Sequence, residues 1–231
     1  NHGIKPIIGV EVYICNDISI RSIKDDNKIY HLTLLAENNI GYQNLIKLVT
    51  DSHFKAFYYK ARIDFKLLEK YNEGLICLSG CQASELSQAI LNDDGGKASD
   101  IAMKYKKLFG DRYYIEIQRH PNNESQNKIT PRLIELAEAM AIDMVATCDS
   151  HYLNKEDKDN HEILLAIQTN KKLDDPKRMS LADSEIYVAS PEEVYEKFKD
   201  IPEAIENTNK IAERCNVEIE LGKIKLPPYK R

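Results

Sequence analysis

Short apolar runs alternate with amphipathic stretches along most of this chain. Pro6-Ile-Ile-Gly-Val-Glu-Val-Tyr-Ile14 is β-branched and almost wholly apolar, the pattern of a strand covered on both faces. A polar turn with Asp25, Asp26 and Asn27 follows, and Ile29 to Leu35 reads as a second strand. Leu45, Ile46, Leu48 and Val49 predict a helix over 41–50. Gly74 to Leu78 is a strand and Ser84 to Leu91 a short helix. Gly95-Gly96 reads as a break, after which Ile101, Tyr105 and Leu108 mark a helix closed by Gly110. Tyr113 to Ile117 is a strand. Thr130 is expected to cap a helix with Pro131 in its first position, and Met144 to Thr147 forms a further strand.

Strands alternating with helices imply parallel pairing and an α/β fold, either a barrel-like ring or a doubly wound sheet. After about residue 156 the alternation stops. Helices are predicted over 160–169, after the capping box Ser190-Pro191-Glu192-Glu193, and over 204–215, with Leu226-Pro227-Pro228 as an extended tail. The expected division is 1–156 as the α/β unit and 157–231 as a mostly helical connector.

Length and composition narrow the class. At 231 residues the chain is one large domain, or one domain with an appendage. With 42% hydrophobic and 30% charged residues it is neither disordered nor a coiled coil. No apolar run is long enough for a membrane span, and Asn1 to Lys5 is not the start of a signal peptide. The net charge of −5 gives no support to a dedicated DNA-binding module, although a local basic channel remains compatible with it. Five cysteines without a CxxC pair form no disulfide framework, so a reducing, cytoplasmic setting is expected.

Five metal-type side chains lie in or just after apolar strands. Glu11 sits within the first strand, where a buried carboxylate needs a cation or hydrogen-bonding partners; an ordinary salt bridge or an outward-facing position would also account for it. His31 lies early in the second strand, where a lone His is more often a satisfied core residue than a ligand. Cys81 follows Leu78-Ser79-Gly80 in a turn, as a ligand or a small buried hydrophobe. Asp149 and His151, two apart after Val145-Ala146-Thr147-Cys148, would point the same way in an extended segment. Such a pair suits a divalent ion such as Zn²⁺ or Mn²⁺; an Asp-capped turn with a surface His is the alternative. His120 could line the same mouth, and Arg62 could pair with a phosphate or sit on a solvated face. His2, His53 and His161 have no local reason to be ligands.

In this order, Gly3-Ile-Lys-Pro-Ile-Ile-Gly-Val-Glu11, His31-Leu-Thr-Leu-Leu-Ala-Glu-Asn38, Gly41-Tyr-Gln-Asn-Leu45, Gly80-Cys81 and Asp149-Ser-His151-Tyr152 strongly resemble the PHP (polymerase and histidinol phosphatase) domain of the bacterial DNA polymerase III alpha subunit. The segments Ser190 to Glu193 and Ala204 to Asn216 look like the stretch leading from that domain to the polymerase palm. The resemblance implies a distorted (β/α)7 barrel, here incomplete at its N-terminus. It implies a site where about nine side chains hold two or three divalent metals, Glu11, His31, Cys81, Asp149 and His151 matching five of them. Where active, that site trims the 3′ end of DNA as a 3′–5′ exonuclease, through metal-assisted hydrolysis. Asp149 and His151 are the expected catalytic pair; Arg62 and His120 are candidates for the substrate phosphate.

The departures matter. The family's opening His-x-His strand and Thr-Asp-His-Gly turn are not found, and His2-Gly3 lies too close to the Ile-Lys-Pro strand to be that turn. Ala61, Ser84 and Cys148 stand where proline, glycine and asparagine are usual, without removing a ligand. The expectation is a fragment of a larger replicative polymerase, cut at both ends and lacking the palm. It would not polymerise DNA, and its metal site, Zn²⁺ or Mn²⁺, would be partial or absent; the parent polymerase would use Mg²⁺. The implied partners are primer-template DNA and other polymerase III holoenzyme subunits, with no membrane. A non-catalytic scaffold that stabilises the polymerase or docks a proofreading subunit is the alternative, though retained ligand types argue against a degenerate site. A free-standing phosphoesterase fits less well, because the connector has no purpose there.

Overall fold

A computed structural model describes residues 3–24 and 27–224. His2, Asp25, Asp26 and the Leu226-Pro227-Pro228 tail lie outside the described residues. Among the described residues six strands form one sheet in the order β3-β1-β2-β4-β5-β6: β1 (Gly9–Ile14), β2 (Tyr30–Ala36), β3 (Arg62–Ile63), β4 (Leu75–Leu78), β5 (Tyr113–Ile117) and β6 (Met144–Ala146). β1 with β3, β4 with β5 and β5 with β6 pair in parallel, while β2 runs antiparallel to both β1 and β4. The expectation of parallel pairing therefore fails at β2. A helical crossover is what returns a chain to the same direction, and the segment between Ile14 and Tyr30 contains no α-helix among the described residues.

The helices are α1 (Asn39–Phe54), α2 (Phe65–Tyr71), α3 (Glu85–Leu91), α4 (Gly95–Phe109), α5 (Glu124–Met140), α6 (Lys158–Gln168), α7 (Pro191–Lys197) and α8 (Pro202–Arg214). All of these helices but α6 and α8 start at a side-chain cap. The side chains of Asn38, Asp64, Ser84, Asp94, Asn123 and Ser190 each accept a backbone N–H in the first turn. Two starts differ from expectation. Gly95 and Gly96 begin α4 rather than interrupt the chain, because Asp94 caps the Lys97 N–H. Thr130 and Pro131 lie inside α5, which Asn123 starts seven residues earlier; the Thr130 hydroxyl donates instead to the Gln118 carbonyl. β3, two residues long, and α2, seven, are too short for a periodic pattern to announce them.

The two faces of the sheet differ. Val12, Ile14, Leu32, Leu34, Leu75, Cys77, Ile115 and Ile117 belong to the large core that α1, α4 and α5 cover. Leu35, Ile76, Leu78, Tyr114 and Val145 point the other way, where Ile211 and Cys215 close one end of that face. Asn207 on α8 donates to the Met144 carbonyl, which occupies the edge of β6. The other end of the face is left to polar side chains. All five cysteines are free thiols, and no helix among the described residues is long and apolar enough to cross a membrane.

Candidate metal centre

At that open end, a pocket of about 330 Å³ is lined by Glu11, His31, Cys81, His120, Asp149 and His151, with Met179 to Ile186 contributing the opposite wall. Alternation places Glu11 and His31 on the same face. Glu11 is registered with Thr33 and His31 with Tyr13, so the two are diagonal neighbours, and His31 Nδ1 stands 2.7 Å from Glu11 Oε1. The Tyr13 ring meets His31 edge-on at 5.2 Å, fixing the imidazole plane. Cys81 enters from the turn after β4, with Sγ 3.6 Å from His31 Nδ1. Donor atoms of Glu11, His31 and Cys81 all lie within 4.8 Å of one another.

Gly80 makes this approach feasible. Its φ of +88° suits glycine, and a Cβ there would stand 2.7 Å from the His31 carbonyl oxygen. Glu11 is not the buried carboxylate its sequence setting implied; its side chain is 45% exposed because it faces the pocket mouth.

Asp149 and His151 both line the pocket, from a segment whose extended run is broken at Asp149. Asp149 has φ +49°, a left-handed conformation that Asp tolerates better than most residues. His151 Nδ1 lies 2.6 Å from the Asp149 carbonyl oxygen and 3.9 Å from Asp149 Oδ1, while the His151 N–H donates to the Ile186 carbonyl. His161 on α6 packs its ring edge-on at 5.6 Å from His151. His120 is buried in the wall, and among the described residues its Nδ1 has no hydrogen-bond partner.

Arg62 is not brought here. It is 1% exposed, and its guanidinium donates to the carbonyls of Ala56, Ile18, Ile20 and Ser22. That arginine is consumed in holding the loop after β1, so it offers nothing to a phosphate.

Acidic side chains dominate the charge of the pocket. Glu11, Asp149 and Asp183 line the pocket, and no Lys or Arg among the described residues does. Hydrogen bonding from His31 holds the Glu11 carboxyl below its usual value against the opposing effect of burial. Burial pushes Asp149 up, with His151 opposing and the Glu11 charge reinforcing. Burial pushes the Cys81 thiol up to about 12 and the His120 imidazole down. Carboxylate, imidazole and thiol donors crowded together without a lysine or arginine among the described residues form a donor set that fits a divalent metal.

Sequence reasoning misses the layer beneath. Glu116 and Gln118 precede His120 at alternating positions on and after β5, a period-2 signal that could have found them. The wall from Met179 to Ile186 carries no such signal, since its place depends on contacts with α6.

The sequence profile of the PHP domain matches residues 1–120. The chain is 43% identical to the DNA polymerase III subunit alpha of Campylobacter jejuni over 99% of its length, covering 20% of that protein. It is 41% identical to the subunit of the same name from Borreliella burgdorferi over 93% of the chain and 19% of the relative. For Thermus aquaticus the figures are 41%, 95% and 18%. The chain thus spans about a fifth of the length of the curated relatives it matches.

Proposed function

The chain belongs to the PHP domain family, and on that premise we propose that it is the PHP region of a bacterial DNA polymerase III alpha subunit whose pocket binds divalent metal and hydrolyses the 3′ end of DNA. The observation that carries this reading is the convergence of Glu11, His31 and Cys81 within 4.8 Å, in a pocket that also takes in Asp149 and His151 and that no lysine or arginine among the described residues lines. Glu11 and Asp149 would supply negatively charged oxygens, His31 and His151 single nitrogens, and Cys81 a sulfur once deprotonated. When bound, divalent metal supplies Lewis-acid polarisation of the phosphate and a more acidic water. His120, which lines the same pocket, would face the substrate phosphate.

In the larger protein, residues 1–156 would form the PHP unit and 157–231 would lead toward the polymerase palm, with primer-template DNA and holoenzyme subunits as partners. A ring of seven strands would need its edges at β3 and β6 joined by further strand structure. Polymerisation itself, with Mg²⁺, would belong to the parent.

Titration with Zn²⁺ and Mn²⁺ tests the pocket. Asn tolerates the left-handed backbone of position 149, so Asp149→Asn removes charge without strain. Metal binding should be weaker in Asp149→Asn and weaker again with His151→Ala. Binding unchanged by both substitutions together would remove the ligand assignment. In a full-length parent, trimming of a 3′-labelled primer should cease with a chelator and with Asp149→Asn. A parent that trims equally well after both treatments leaves only the scaffold reading.

A further inference from the structure

Glu116 is a buried carboxylate that no metal-donor role absorbs. It lies on β5, 6% exposed, and has no salt-bridge partner among the described residues. Its Oε1 accepts from Thr147 Oγ1 at 2.6 Å and from Gln118 Nε2 at 2.9 Å. Its Oε2 accepts the Gly80 N–H at 3.2 Å, and its own N–H donates to Ser79 Oγ at 2.9 Å. The three donors to this carboxylate stand one or two residues ahead of a pocket residue. Gly80 precedes Cys81, Gln118 is two residues before His120, and Thr147 is two before Asp149. One carboxylate therefore ties together the three turns that leave the adjacent parallel strands β4, β5 and β6.

Nothing in the core demands a charge there. Neighbouring Ile76, Leu78, Tyr114 and Val145 on the same face are apolar, and a buried carboxylate held only by neutral donors is costly. We propose that Glu116 is a positioning residue that sets the spacing of Cys81, His120 and Asp149, and so pre-forms the pocket before any metal arrives. Groups behind metal ligands tune affinity in this way. The consequence for metal binding rests on the reading above, whereas the positioning does not.

The test compares Glu116→Ala with Glu116→Gln, and with Leu68→Ala as a core lesion in α2, away from the pocket. The amide introduced by Glu116→Gln can accept from Gly80 and donate to Thr147 Oγ1 and to a rotated Gln118, so it should rescue. In metal-free protein, Glu116→Ala should speed hydrogen exchange at the Gly80 amide by about tenfold or more and move the amide resonances of Cys81, His120 and Asp149. Its Zn²⁺ affinity should fall by about 10–100-fold, with Glu116→Gln within about threefold of the parent sequence. Leu68→Ala should leave these resonances and the affinity in place. Should Glu116→Ala fail to fold, Thr147→Val deletes a single donor and should loosen the Gly80 and Asp149 amides together. Unchanged exchange and resonances in the Glu116→Ala or Thr147→Val protein, or equal changes in Leu68→Ala, would overturn the proposal. A parent sequence that takes up no Zn²⁺ would overturn the metal reading and leave the exchange result to decide the positioning role.

Discussion

Glu11 and His31 touch at 2.7 Å although they are not opposite each other in the β1–β2 ladder. The contact is a diagonal one, and it exists only in the observed register. A slip of either strand by one residue would send its own side chain, Glu11 or His31, into the helix-covered core and part the two. Because the same His31 nitrogen faces Cys81 at 3.6 Å, loss of the Glu11 charge should be felt by the whole donor set. Glu11→Gln is expected to weaken Zn²⁺ binding about tenfold or more. Stability should change by less than about 0.5 kcal/mol, since the side chain is half-exposed. Chelator competition and thermal unfolding read the two quantities. Equal affinities for Gln and Glu would mean that position 11 contributes no ligand.

Gly80 offers a sharper steric test. Alanine there must hold φ near +88° and place Cβ 2.7 Å from the His31 carbonyl and 3.1 Å from Ser84 Cβ. Gly80→Ala is expected to destabilise by more than about 2 kcal/mol, the cost of a left-handed non-glycine residue plus a backbone clash. Gly95→Ala is its counterpart, in the first turn of α4 with nothing within 4 Å of the new Cβ. It should be neutral or stabilising by up to about 1 kcal/mol. Denaturant titrations of the pair give the answer directly; similar values for both would mean the turn after β4 re-forms around a methyl group.

Most of the strands are legible in the sequence because they are runs of mostly apolar residues: Leu75 to Leu78, Tyr113 to Ile117 and Met144 to Ala146 are buried throughout, Glu116 included. What stays hidden is relational. The direction of β2 depends on the loop after β1, which Arg62 and Asn27 organise through backbone carbonyls that no side-chain pattern reveals. The start of α5 is displaced from its expected place because Pro131 looks like a first-turn residue, whereas Asn123 supplies the cap and the helix continues through the proline. At the pocket, residue types identify Glu11, His31, Cys81, Asp149 and His151 one at a time. The meeting of Glu11, His31 and Cys81, the withdrawal of Arg62 and the bonds to Glu116 are products of three-dimensional register.

The opposite wall of the pocket should respond to acid through Glu162. This residue is buried on α6. Its Oε2 accepts from Arg178 Nη1 at 2.6 Å and Ser180 Oγ at 2.7 Å, and its Oε1 accepts the Leu181 N–H at 2.9 Å. These bonds hold residues 178–181 against the helix, and Met179, Ser180 and Leu181 in turn line the pocket. Burial raises the Glu162 carboxyl, but Ser180, Leu181 and Arg178 together outweigh it and leave the value below the usual glutamate range. A folded-state value below the unfolded one means the latch contributes fully above the ordinary glutamate pKa. That contribution is lost as pH falls through the depressed value. Glu162→Gln should therefore cost about 1–3 kcal/mol near pH 7, the loss of charge-assisted bonds that leaves Arg178 without its carboxylate. The two proteins should converge in stability once the medium is acid enough to protonate Glu162. Urea titrations of both at neutral and acid pH measure the gap, and proteolysis within 171–186 reports whether the wall has opened. A stability gap that is the same at both pH values would show that the Glu162 charge does not hold this wall in place.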